Sequence, residues 1–172
     1  MSYPLVISTS LREGSLSRAM TRRLTLDYAA LGVNPVEADL RKLPLPLCDG
    51  DAAYADPNVD TFAKLIEAAS PIIVATPVYN YDVNAALKNL VELTGSAWEG
   101  KVVGFICAAG GASSYMSVMA MANSLMLDFR CLIIPRFVYG VSADFEASRQ
   151  PGEDLSRRIR QLAEESLKIR RL

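Results

Sequence analysis

"PLVISTSLREGSLSRAM", residues 4–20, passes from an apolar run to a helical pattern through serines, arginines and one glycine. Leu5, Val6 and Ile7 read as a buried strand. From Ser15 to about Leu31, the residues Leu16, Met20, Leu24, Tyr28 and Leu31 recur at helical spacing. Strand, polar turn and helix together form the first half of a βα unit. Two readings of the turn compete. In one, Ser15 or Ser17 merely caps the next helix; in the other, backbone N–H groups, hydroxyls and Arg12 form a cradle for an anion.

The alternation continues along the chain. "NPVEADL" (34–40) reads as a second, more exposed strand, followed by a loop rich in Pro, Gly and Asp over 41–58 and a helix from Val59 to Ala69. "PIIVATP" (71–77) is a third strand, apolar on both faces and expected to stop at Pro77; "VNAALKNLVELTG" (83–95) is a helix ended by Gly95. "KVVGFICAAGG" (101–111) is a fourth strand running into glycines, and "SYMSVMAMANSLMLDF" (114–129) a Met-rich helix. A fifth strand is expected near 131–134, within "RCLIIPRFVYG". Leu155, Ile159, Leu162 and Ile169 mark a C-terminal helix, with Pro151 and Gly152 at its entrance. Continuous apolar strands separated by helices predict an α/β fold whose parallel sheet is covered on both faces. Right-handed crossovers then favour a doubly wound sheet in the order 2-1-3-4-5, as one domain over residues 1–172.

Composition narrows the function. The 172-residue chain is 51% hydrophobic and 22% charged, ordinary for a globular protein. A net charge of −1 gives no general attraction for nucleic acid or an anionic membrane. The basic segment 157–172 also carries Glu164 and Glu165 and reads as a solvated helix face. Three scattered cysteines, Cys48, Cys107 and Cys131, point to a reducing compartment, and the expected location is cytoplasmic. Cys107, inside a strand, reads as a small buried hydrophobe. The chain has no histidine, which removes Ser-His and Cys-His nucleophiles and histidine metal sites. No metal centre is expected.

In a 2-1-3-4-5 sheet, ligands bind beyond the carboxyl ends of the strands where the order switches. The loops converging there are "STSLREGSLS" (8–17), "TPVYNYD" (76–82) and "AAGGASSY" (108–115). The first offers hydroxyls and a cation. The second offers backbone polar groups and aromatic surface, and the third offers glycines where backbone can approach a ring closely. Neither GxxxxGK[ST] nor GxGxxG is present.

Together these loops resemble those of the NADPH-dependent FMN reductase family, a branch of the flavodoxin-like fold. That family's pattern is roughly GSxRxxSxN after strand 1, PxYN…LKN after strand 3 and a GG-containing loop after strand 4. Here the corresponding stretches are "TSLREGSLS", "PVYNYDVNAALKN" and "AAGGASS", and the likeness extends to "DLRKLPLPLCD" (39–49). The resemblance implies a flavodoxin-like three-layer sandwich, non-covalent FMN, and NAD(P)H as co-substrate. It places Ser10, Arg12, Ser15 and Ser17 around the FMN phosphate. It lines the isoalloxazine with Pro77, Val78, Tyr79, Asn80 and Tyr81, largely through main chain, and completes the other edge with Gly110, Gly111 and Ser113. Lys88 and Asn89 are expected as structural support. Four departures stand out: Thr9 replaces glycine, Ser17 replaces asparagine, Val78 replaces an acidic residue, and Asn84-Ala85 replaces proline-glycine.

The implied activity is an FMN-dependent NAD(P)H oxidoreductase. Hydride would pass to flavin N5 and then to a small acceptor such as a quinone, free flavin, azo compound or metal oxyanion. No side chain is assigned a catalytic role, because a flavin carries the chemistry. Tyr79, Tyr81 and Tyr115 are candidate walls of the acceptor site. The family commonly forms homodimers or homotetramers, and the Met-rich helix is expected in a core or subunit interface. Two other readings stand beside this one: a flavodoxin-type electron carrier, usually far more acidic, and a flavin-free binding module.

Overall fold

Alternate residues of the central strands point into opposite cores, and this parity organises the molecule. The computed structural model describes residues 2–169. Its elements run β1 (Tyr3–Ser8), α1 (Leu16–Ala30), β2 (Val36–Asp39), α2 (Pro57–Ala68), β3 (Ala69–Tyr79), β4 (Asp82–Val83), α3 (Ala85–Thr94), β5 (Val102–Ala109), α4 (Met119–Phe129), β6 (Leu132–Ile133), β7 (Val138–Val141) and α5 (Glu153–Ser166). The main path of the sheet is β2-β1-β3-β5-β6, with β7 also paired to β5. The pairs along this path are parallel, as is β5 with β7. This is the doubly wound order expected from the sequence.

Leu5, Ile7, Ile72, Val74, Phe105 and Cys107 face one core, which they share with Phe62, Ile66, Leu87, Leu90, Trp98 and Leu125 of the α2–α4 side. Val6, Ile73, Ala75, Ile106 and Ala108 face the other, under Met20, Leu24 and Tyr28 of α1 and Leu155, Ile159 and Leu162 of α5. Strands buried on both faces must be apolar at every position, which is why they read so plainly as continuous runs. Gly104 is needed for packing: a Cβ there would lie 2.8 Å from Ile73 Cδ1 and 3.1 Å from Ile134 Cδ1.

The structure departs from the expected elements in four places. The fifth strand is split: Leu132–Ile133 pairs with Val102–Val103, and Val138–Val141 pairs with Ile106–Ala109. Pro135, between the pieces, has no N–H to continue the ladder. β3 does not stop at Pro77 but continues to Tyr79 and turns back antiparallel into β4. The Met-rich helix begins at Met119, after turns over 112–118, and buries Met121, Ala122 and Leu125 while Met119, Met126 and Leu127 stay exposed. The last helix ends at Ser166, whose hydroxyl donates to Ala163 O at 2.8 Å; Ile169 lies beyond it, packed against the core. On α5, Arg157 and Arg158 pair with Asp154, and Arg160 with Glu164, as a solvated face requires. Residues 170–172 of that basic segment lie outside the described residues.

Cys107 and Cys131 are buried and Cys48 is partly exposed. Burial pushes the Cys107 thiol up to about 12. Native protein titrated with a chromogenic disulfide reagent at mildly alkaline pH is expected to release about one equivalent quickly, from Cys48. The other thiols should react only in denaturant; fast release beyond one equivalent would contradict this core.

Candidate functional site

Two arginines organise the loop after β1. Arg18, in the first turn of α1, grips both carboxylate oxygens of Asp39 at the end of β2, with Nε to Oδ2 at 2.8 Å and Nη2 to Oδ1 at 3.2 Å. The same guanidinium donates to three loop carbonyls: Ser10 O at 2.5 Å, Arg12 O at 2.7 Å and Glu13 O at 3.0 Å. Arg149, on the loop before α5, donates to Gly14 O at 2.6 Å. A peptide's N–H and C=O point in opposite directions. With these carbonyls held by cations, the N–H groups of Leu11, Glu13 and Gly14 face away from Arg18 and find no acceptor among the described residues.

The start of α1 is equally open to an acceptor. Ser15 occupies the N-cap position yet makes no side-chain cap, and the first turn holds no acidic residue. Its hydroxyl pairs instead with Ser17 Oγ at 2.8 Å. Ser10, Ser15 and Ser17 are all buried. Ser15 thus holds the N-cap position without a side-chain cap and Ser17 lies within the helix, which leaves an uncompensated helix N-terminus with the positive end of its dipole. The Arg12 guanidinium is exposed and has no acceptor among the described residues.

The three serines, Arg12 and the start of α1 line a cavity of about 380 Å³, whereas Leu11, Glu13 and Gly14 lie outside its lining. Ser10, Arg12, Ser15 and Ser17 form one side, Pro77, Val78 and Tyr79 another, and Gly110 a third. Leu16, Ala108, Ala109 and Ser142 also line it, and the sequence had not singled them out. Asn80, Tyr81, Gly111 and Ser113 are exposed and lie outside this lining. Asn80 and Tyr81 are the two-residue tip of the β3–β4 hairpin, with φ of 50° and 67°. Paired positive φ values are those of a type I′ turn, easy for asparagine and costly for tyrosine. A Cβ on Gly110 or Gly111 would meet nothing within 4 Å, and neither has positive φ. Neither internal packing nor a left-handed backbone requires these glycines, so the space before them is available to a ligand.

Tyr139, on β7, fixes the glycine loop from below. Its hydroxyl donates to Gly111 O at 2.6 Å and lies 2.7 Å from Ser114 Oγ. Tyr115 packs over Phe137 and Tyr139 at centroid distances of 4.9 and 5.5 Å. Asn89, expected to be structural, ties α3 to the loop after β2: Nδ2 donates to Pro46 O at 2.8 Å, and Oδ1 accepts from Cys48 N at 2.9 Å. Lys88 makes an exposed pair with Glu92.

Amide donors, buried hydroxyls and a free cation at one end, with an open glycine edge and apolar surface at the other, fit a planar ligand that carries a phosphate. The model of the NADPH-dependent FMN reductase family matches residues 4–146, a span that contains every cavity residue. The chain belongs to the NADPH-dependent FMN reductase family. FMN is the cofactor and NAD(P)H the reductant of that family.

Among similar proteins, an NAD(P)H-dependent FAD/FMN reductase of Geobacillus thermodenitrificans is 28% identical over 131 residues, covering 73% of this chain and 69% of that protein. The FMN reductase (NADPH) of Escherichia coli is 32% identical over 124 residues, covering 69% of this chain but 63% of that one. Among solved structures, an NADH:FMN oxidoreductase in its apo form superposes with a TM-score of 0.81 at 15% identity, covering 100% of this chain and 92% of that one. The flavoenzyme NAD(P)H:(acceptor) oxidoreductase of Paracoccus denitrificans gives a TM-score of 0.75 at 18% identity, covering 98% of both chains. At these identities the structural likeness is one of fold.

Within the family frame, the Tyr81 backbone is a point of stored strain beside the cavity. Replacing Tyr81 by Gly should raise the stability of ligand-free protein by about 1 kcal/mol, read from urea denaturation. An unchanged or lower midpoint would show that the tyrosine side chain compensates the strain in full.

Proposed function

We propose that this family member holds FMN in the cavity between the β1, β3 and β5 loops and transfers reducing equivalents from NAD(P)H to a small acceptor. The observation that carries the reading is the donor set at one end of the cavity: the uncapped start of α1, three buried serines and Arg12. Ser10, Arg12, Ser15 and Ser17 would hold the phosphate. Pro77, Val78 and Tyr79, with Asn80 and Tyr81 at the hairpin tip, would border the ring on one side, and Gly110, Gly111 and Ser113 on the other. A flavin held there would supply the two-electron hydride chemistry, at N5, between the nicotinamide and the acceptor.

The chain's own contribution is binding and orientation. Arg12 and the serines anchor one end, and the open glycine edge lets main chain approach the ring. The exposed Tyr79 lines the cavity, and Tyr81 at the hairpin tip would stand near the entrance, where a nicotinamide and then a quinone, free flavin, azo compound or metal oxyanion would stack in turn. The exposed Met119, Met126 and Leu127 on α4 support a homo-oligomer, and the three scattered cysteines of the sequence, without CxxC spacing, support a cytoplasmic location. No helix among the described residues is long and apolar enough to cross a membrane.

The purified protein should be yellow and release FMN on denaturation, and anaerobic NADH or NADPH should bleach it at turnover rates. Colourless protein that cannot be reconstituted with FMN would sink the reading. Bleaching only through a separate reductase would select an electron carrier instead. Replacing Arg12 by Ala should weaken FMN by about 1.5–3 kcal/mol in a fluorescence-quenching titration, the worth of a charge-assisted contact. Unchanged affinity would remove Arg12 from the phosphate site.

A further inference from the structure

Two of the departures from the family pattern, Thr9 and Asn84, touch each other. Thr9 follows β1 and leads directly into Ser10 of the phosphate-side loop. Asn84 follows β4 and opens α3 on the ring side. Thr9 and Thr76 are fully buried, and Asn84 is 5% exposed. Thr9 Oγ1 donates to Asn84 Oδ1 at 2.8 Å, and Asn84 Nδ2 donates back to Thr9 O at 2.8 Å. Thr76 Oγ1 reaches the same Oδ1 at 3.0 Å. The amide orientation follows from this set, since flipping it would press Oδ1 against the Thr9 carbonyl.

An asparagine at a helix start ordinarily caps its own helix. Asn84 occupies that position for α3 and makes no such cap. Its side chain is instead committed across 75 residues of sequence to the loop after β1. Glycine and proline, the family's residues at these two places, could not make the link. The hairpin keeps its own anchorage through Val78–Val83 and Tyr79–Asp82 pairing, and the phosphate-side loop keeps Arg18 and Arg149. What the Thr9–Asn84–Thr76 contact adds is the spacing between the two.

We propose that Asn84 and Thr9 are positioning residues that fix the distance between the phosphate end and the ring end of the cavity, and so make this chain selective for FMN over riboflavin. The proposal rests on the FMN reading above. A ligand anchored at both ends feels that distance, whereas riboflavin, lacking the phosphate, is held at the ring end alone.

The test measures Kd for FMN and for riboflavin, with thermal melts, on wild type, Asn84→Ala, Thr9→Val, the double variant and Thr9→Ser. Thr9→Val keeps the buried volume if Asn84→Ala proves too unstable. Each single loss should weaken FMN about tenfold, the scale of a pair of buried hydrogen bonds, and riboflavin less than about threefold. The double variant should be no worse than the weaker single, because both remove one contact. Thr9→Ser, which keeps the hydroxyl, should restore wild-type selectivity. Equal weakening of FMN and riboflavin, or independent effects that multiply in the double variant, overturns the proposal while leaving the FMN reading intact. Wild-type protein that takes up neither flavin overturns both.

Discussion

The Arg18 guanidinium is the contact on which the site depends. One planar fork satisfies Asp39 on β2 and three carbonyls of the loop after β1. A lysine could not span that set, because its charge is a single point without a fixed fork. The arrangement solves a problem common to anion-binding loops: a short loop of peptides presents as many carbonyls as amides, and the carbonyls repel the ligand. Here the carbonyls of residues 10, 12, 13 and 14 are tied to arginines. The loop is thereby made electropositive without lysines or arginines of its own beyond Arg12. Since Asp39 ends the strand beside β1, the loop's conformation is also keyed to the sheet order.

The fold was readable because its three central strands are buried on both faces. Val6 and Ile7 must both be apolar although they face different cores, and the same holds for Ile73 and Val74. The periphery was less readable. The fifth strand was expected only near 131–134; its second piece, Val138–Val141, lies beyond Pro135 and is defined by its pairing with β5, which only the structure shows. The β3–β4 hairpin was hidden because its tip is Asn-Tyr rather than Asn-Gly, so the usual turn signal was absent.

For the site, position in the sheet together with the family resemblance pointed to Ser10, Arg12, Ser15, Ser17, Pro77, Val78, Tyr79 and Gly110, all of which line one cavity. The residues that shape it were not visible. Arg18 looked like any polar residue in a helix, and its role exists only through Asp39 and loop carbonyls that are distant or unmarked in sequence. Tyr139 belongs to the second piece of the split strand, and Ser142 directly follows it; that piece had not been identified as a strand. Thr9 and Asn84 were visible as oddities, but that each explains the other required three dimensions.

Tyr139 gives the split strand a consequence of its own. The glycine loop takes its height from a tyrosine anchored on the sheet's outer edge, through bonds to Gly111 and Ser114. Residues 110–114 are therefore not a transferable module. Moved into another flavin scaffold without an edge tyrosine at the matching height, the same letters would carry the flexibility of glycine and none of the placement. In this lineage the loop and the edge strand have to change together, and variation in one should leave its mark on the other.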